Sequence, residues 1–207
     1  MKNEEIIKAL NWRYATYNFD EAKKISDADL HTVLESARLS ASSFGLEPWK
    51  FLVIKNPDIR AQLASAGYNQ PRFTNASNLV VIAARTDTEQ LVQELIDRAM
   101  VAQDKTAEAL APMKAMIDGA IAAKTDAVAW NRAQTYIALG TMMETASLLG
   151  IDNAAMEGFS VEQVNDILGL SAQHLTAVTI LALGYRSDEP VRPKTRRAYD
   201  EVVQSID

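Results

Sequence analysis

A chain of 207 residues with 48% apolar and 23% charged residues has ordinary globular composition and is long enough to bury a core. A formal charge of −6 argues against a nucleic-acid binder, whose phosphate partner demands a basic face. The absence of cysteine removes disulfides, thiolate nucleophiles and Cys-ligated metals, and two histidines (His31 and His174) are too few for a His-rich metal site.

The N-terminal Met-Lys-Asn-Glu-Glu has no cationic start or apolar stretch. Asn3 to Trp12 reads as a helix capped by Asn3, with Glu4 and Glu5 in the first turn, where the helix dipole favours acids. Ser26 caps a second helix whose Leu30, Val33, Leu34 and Ala37 recur at helical spacing. Trp49 to Lys55 is a short run of β-formers and reads as a strand. Asn56-Pro57 opens a helix that Gly67 closes, and Asn78 to Arg85 reads as a buried strand. Thr88 to Leu149 is helical almost throughout, with breaks expected near Pro112 and near Thr125-Asp126. Its last part, from Asp126, is apolar on most faces, as in a helix buried centrally or in a subunit interface; Gly150 stops it. Ser160 to Gln163 forms a capping box for a short helix that Gly169 ends. Leu175 to Gly184 is the most strand-like segment, the tail from Tyr185 to Pro193 is polar and proline-punctuated, and Ala198 to Ile206 is compatible with helix or extended chain. The expected fold class is α+β: one domain over residues 1–207, a mixed or antiparallel sheet flanked by helices. No apolar run approaches the roughly eighteen residues of a membrane span, so a cytoplasmic enzyme without membrane or nucleic-acid partners is the expectation.

No G-x-G-x-x-G, G-x-x-x-x-G-K-[ST] or G-x-S-x-G occurs, which leaves no Rossmann fingerprint, P-loop or common serine-hydrolase elbow. The pieces that remain are Arg13-Tyr14-Ala15-Thr16, Ser40-Ala41-Ser42-Ser43 with Pro48-Trp49, Glu157-Gly158-Phe159, and Pro193-Lys194-Thr195-Arg196. Singly, each has an ordinary reading: a helix-end cation, a plain loop, a turn before a cap, a solvated basic tail. Together, Arg13, Lys194 and Arg196 form a set of cations that could converge on one phosphate, for an acidic protein that gathers cations at one point usually holds an anion there.

The ordered set, with Asn18-Phe19-Asp20, Asn69-Gln70-Pro71-Arg72, Gly150-Ile151-Asp152 and Leu183-Gly184-Tyr185, resembles the FMN-dependent nitroreductase family from about Leu10 to Arg197. The resemblance implies an intertwined homodimer with FMN in the interface. Arg13, Lys194 and Arg196 would then hold the FMN phosphate, Tyr14 and Ala15 would also bind the cofactor, and Tyr17 would stand near the pyrimidine edge. Ala41, Ser42, Ser43 and Gly45 would approach from the neighbouring subunit, and Asn69 and Arg72 would lie at the pyrimidine edge of the ring. Ala155, Met156, Glu157 and Gly158 would line one ring face, with a backbone N–H toward N5; Glu157 is the one catalytic candidate, through its backbone, and no metal is expected. The implied reaction is ping-pong hydride transfer from NADH or NADPH to nitroaromatics or quinones. A flavin enzyme dedicated to one metabolite and a non-catalytic FMN-binding protein are the alternatives. Tyr17, Gly45 and Glu47 depart from the lysine, asparagine and glutamine common in relatives, which implies a less cationic flavin environment and a lower potential.

Overall fold

The computed structural model describes residues 2–190 and 192–206; Met1 and Asp207 of the expected domain, and Val191 of the expected tail, lie outside the described residues. Three runs of β-formers become strands where expected: β1 (Trp49–Ile54), β2 (Asn78–Arg85) and β4 (Leu175–Gly184). A fourth, β3 (Asp152–Met156), was not expected, since Asp-Asn-Ala-Ala-Met holds no β-branched residue. It forms because it pairs along the free edge of β4, Asp152 opposite Gly184 and Met156 opposite Ile180. The sheet order is β1-β2-β4-β3 and every pairing is antiparallel, so the mixed-sheet option is set aside.

The helices are α1 (Asn3–Trp12), α2 (Asp27–Arg38), α3 (Pro57–Ala66), α4 (Arg72–Asn75), α5 (Thr88–Gln103), α6 (Ala107–Ala122), α7 (Ala127–Leu148) and α8 (Val161–Leu168). Strand alternation divides the core between the two faces of the sheet. Val80, Ile82, Leu181 and Leu183 pack with Val33 and Ala37 of α2 and Ala138 and Met142 of α7. Leu79, Val81, Ile180 and Ala182 pack on the other side with Leu63, Phe73 and Val164, from α3, α4 and α8. Burial on both faces is why β2 and β4 read as continuous apolar runs.

Two expectations about helix ends change. Asn3 is the first helical residue rather than the cap, because the Glu5 carboxylate reaches back to accept from the backbone N–H of Lys2 at 2.8 Å. The break expected at Pro112 falls instead at Asp104, whose left-handed backbone (φ 50°) ends α5, and Thr106 Oγ1 then caps α6 by accepting from Ala109 N at 3.3 Å. Pro112 stays within the second turn of α6. The segment from Ala198 to Ile206 contains a single 3-10 turn, Tyr199–Glu201. The break at Thr125-Asp126 stands, with Asp126 capping α7. Of the two alternatives for α7, central burial holds for Ala138, Leu139 and Met142, while Tyr136 and Ile137 are exposed. Among the described residues no helix is long and apolar enough to cross a membrane.

Candidate functional site

The chain leaves α1 at Arg13 and runs across the edge of the sheet, where Ala15 bridges Asn153 of β3. That path puts Tyr14, Ala15 and Tyr17 along a cavity of about 550 Å³, whose other wall carries Arg72, Arg186 and Glu189. Arg72 lies with its guanidinium carbon 4.9 Å from the centre of the Tyr17 ring, within cation–π range. Among the described residues its Nε is buried without a hydrogen-bond partner, and burial, opposed by the Tyr17 phenol, holds the guanidinium below its ordinary range. A buried donor left unpaired is costly unless something else accepts from it. A wider depression of about 890 Å³ opens between the starts of α5 and α7, but Asp87, Glu89 and Asp126 rim it and none of the expected site residues borders it. An acidic rim repels an anionic ligand, so chemistry favours the smaller cavity.

Beside that cavity the tail returns to α1. Lys194 Nζ donates to the carbonyl oxygens of Arg13, at 2.9 Å, and of Leu10. These groups belong to the C-terminal end of α1, where the helix dipole favours a cation. Burial and then the nearby Arg196 push Arg13 below the usual guanidinium range; burial, then Arg13 and Arg196, push Lys194 down likewise. Three cations from opposite ends of the sequence therefore stand within electrostatic reach of one another. Among the described residues none of them forms an ion pair with a carboxylate. Like charges gathered without a counter-charge, together with the orphaned Arg72 Nε, fit a ligand bearing a phosphate and hydrogen-bond acceptors.

The end of β3 and the turn after it stay outside the lining of that cavity: none of Ala155, Met156, Glu157 and Gly158 borders it. Ala155 is exposed, Met156 is buried in the core and offers only its backbone, and Glu157 and Gly158 are exposed. Tyr136 of α7 donates its hydroxyl to Glu157 Oε1. Burial first, then this contact with Glu157, pushes the Tyr136 phenol up to about 12. Gln70 Nε2 donates to the carbonyl oxygens of Gly158 (3.0 Å) and Gly67 (3.1 Å), tying the turn to the end of α3. A Cβ at Gly158 would sit 3.3 Å from that nitrogen, so the turn has little room for a side chain on this side.

The serine loop does not join this cavity within the chain: none of Ala41, Ser42, Ser43 and Gly45 lines it. The loop is instead anchored on α7, where Gln134 Oε1 accepts from Ser43 N at 2.9 Å and the Phe44 ring stands 6.4 Å from Trp130. Ser42 Oγ accepts from Glu47 N at 2.9 Å, and the Glu47 carboxylate lies 4.0 Å from Arg98. Among the described residues six non-glycine residues have positive φ, and four of them fall in or next to two candidate segments: Phe44 (58°), Glu47 (51°), Tyr68 (57°) and Asn69 (55°). Such conformations are uncommon outside glycine and gather where function over-determines the backbone.

Sequence reasoning missed Asp152, Arg186, Gln70 and Tyr136. Gln70 and Asp152 lie inside the motifs that carry the resemblance; Arg186 and Tyr136 carry no local signal, since they meet their partners across 34 and 21 residues respectively.

A family model described as "Nitroreductase family" matches residues 10–185. A Staphylococcus aureus (strain USA300) protein named "Putative NAD(P)H nitroreductase" is 40% identical over 215 residues, covering 99% of this chain and 96% of its own. A solved "nitroreductase-like protein" from Streptococcus mutans superposes with a TM-score of 0.88 at 16% identity, covering 100% of both chains. Another, a "putative nitroreductase in complex with FMN" from Exiguobacterium sibiricum, gives 0.83 at 22% identity, covering 100% of this chain and 98% of that one. The sequence puts the chain in an oxidoreductase class: it belongs to the nitroreductase family, and the solved structures share its fold.

Proposed function

We propose that the chain is an FMN-dependent oxidoreductase that uses NADH or NADPH to reduce nitroaromatics, quinones or related acceptors, acting over its full length as one flavin-binding domain in a cytoplasmic homodimer. The observation that carries this reading is the convergence of Arg13, Lys194 and Arg196 beside a cavity lined by Tyr14, Ala15, Tyr17 and Arg72. FMN, when bound, supplies two-electron hydride chemistry between the nicotinamide and the acceptor in successive half-reactions, and so asks no acid–base dyad of the protein. The three cations would hold its phosphate through charge-assisted contacts worth roughly 1.5–3 kcal/mol each. Arg72 and Asn69 would meet the polar pyrimidine edge, where the unpaired Arg72 Nε gains an acceptor. Ala155, Glu157, Gly158 and the backbone of Met156 would line the ring, the Glu157 carboxylate being drawn aside by Tyr136.

Two features support the dimer. No residue of α1 is buried, with Ile7 58% exposed and Leu10 and Trp12 also open, and Tyr136 and Ile137 leave an apolar strip on α7. A second copy would cover this face and bring its own Ala41, Ser42, Ser43 and Gly45 to the cavity. One preparation tests the reading: it is expected to sediment as a dimer, to be yellow, and to bleach anaerobically with NADH or NADPH. A yellow protein that neither nicotinamide bleaches is a binding protein, and a colourless monomer at micromolar concentration defeats the proposal outright.

A further inference from the structure

We infer that Asp152 and Arg186 are positioning residues that hold Arg13 and the returning tail in register for a phosphate monoester; the inference rests on the flavin reading above. Asp152 opens β3 and is 4% exposed. Its Oδ2 accepts from the backbone N–H of Arg186 at 2.9 Å, and its Oδ1 accepts from Arg186 Nε at 2.7 Å and from Thr16 Oγ1 at 3.3 Å. The Arg186 guanidinium lies 4.7 Å over the Trp12 ring and donates to the Trp12 carbonyl oxygen at 3.5 Å. Trp12 and Thr16 flank the stretch that carries Arg13, and each is held by one member of the same buried ion pair. Thr16 N also donates to Asn153 O at 3.4 Å, fastening the stretch to the residue beside Asp152.

The pair governs the second set of cations as well. Arg186 is where the chain leaves β4 for the tail, and Lys194 comes back along that tail to the carbonyls of Leu10 and Arg13. The direction of departure and the point of return are thus referred to the same carboxylate. A buried ion pair is weak evidence for stability, because desolvation offsets the attraction. What this one supplies is orientation: it joins the start of β3, the end of β4 and the segment after α1, the places from which the cations diverge in sequence and meet in space. Neither residue needs to touch the ligand phosphate to do this.

The test compares FMN with riboflavin, which lacks the phosphate, by calorimetric titration of flavin-free dimer whose fold is checked by circular dichroism. Asp152→Asn is expected to weaken FMN about tenfold to a hundredfold, the size of effect seen when supporting contacts of a binding site are lost, and to leave riboflavin within about threefold. Thr16→Val is expected to lower the same ratio by a smaller factor and Thr16→Ser to retain it; this pair carries the test where Asp152→Asn does not fold. Equal weakening of both flavins would mark Asp152 as merely structural and overturn the inference, as would unchanged FMN binding. Wild-type protein that binds riboflavin as tightly as FMN would instead remove the phosphate reading itself, and the inference with it.

Discussion

Replacing Arg196 by glutamine is expected to move ligand affinity and ligand-free stability in opposite directions. In the chain alone, the Arg196 guanidinium donates to the carbonyl oxygen of its neighbour Thr195 at 2.6 Å and forms no ion pair with a described carboxylate. Its charge opposes those of Arg13 and Lys194 and helps to keep both below their ordinary ranges. Removing it costs the flavin-free protein little and relieves that repulsion, so the melting temperature of the flavin-free form should hold or rise. On the proposed flavin reading the same charge would become a phosphate contact when FMN binds. A charge-assisted hydrogen bond is worth roughly 1.5–3 kcal/mol, and 1.4 kcal/mol is about tenfold in affinity. Arg196 is exposed, where solvent and salt screen it, so the loss belongs at the lower end, about tenfold, and should shrink as ionic strength rises. Lys194 is the less clean choice, because its ammonium also holds the carbonyls of Leu10 and Arg13. Fluorescence titration of FMN and a thermal melt of the flavin-free protein read the two halves. A destabilised flavin-free Arg196→Gln that still binds FMN at wild-type strength would refute the reasoning, since it would make Arg196 a structural cation.

Gly67→Ala would put a methyl 2.3 Å from Cε2 and Cζ of the fully buried Phe73 ring. Overpacking of this kind costs about 1–3 kcal/mol, so urea unfolding should show a lower midpoint; an unchanged midpoint means the ring has room to shift. Tyr136 should be seen in tyrosinate difference absorbance as a phenol titrating near pH 12, and Glu157→Gln should move it down, while burial keeps it above the ordinary phenol value of about 10. Because the folded state holds this proton more tightly, the contribution of Tyr136 to stability is complete below about pH 10 and is lost as pH rises toward 12. A titration unmoved by Glu157→Gln contradicts the contact between them.

The strands that could be read in advance were those whose burial on both faces demands continuous apolar sequence, as in Val80-Val81-Ile82 and Ile180-Leu181-Ala182. β3 was hidden because its stability comes from pairing with β4 and from tertiary partners. Asp152 is satisfied by Arg186, and the Asn153 amide donates to Ser147 Oγ at 3.2 Å, so its polar residues are buried without a strand-like pattern. Pro112 misled because a proline signals strain, and the actual break used Asp104, a residue with no distinctive local signature. Within the site, cations and small residues could be recognised by type and order. Distances could not: nothing local in the sequence said that Lys194 would meet the carbonyl of Arg13, or that Arg186 would take Asp152. Within the chain the serine loop remains apart from the cavity; in the dimer proposed above, a second copy covering the exposed apolar faces of α1 and α7 would bring its own loop there.

A crystal structure of the protein grown with FMN tests the central claim most directly. The account predicts one flavin at each cavity between two protomers, with phosphate oxygens within hydrogen-bond distance of Arg13, Lys194 and Arg196. A phosphate bound elsewhere, with those three side chains turned to solvent, would contradict it.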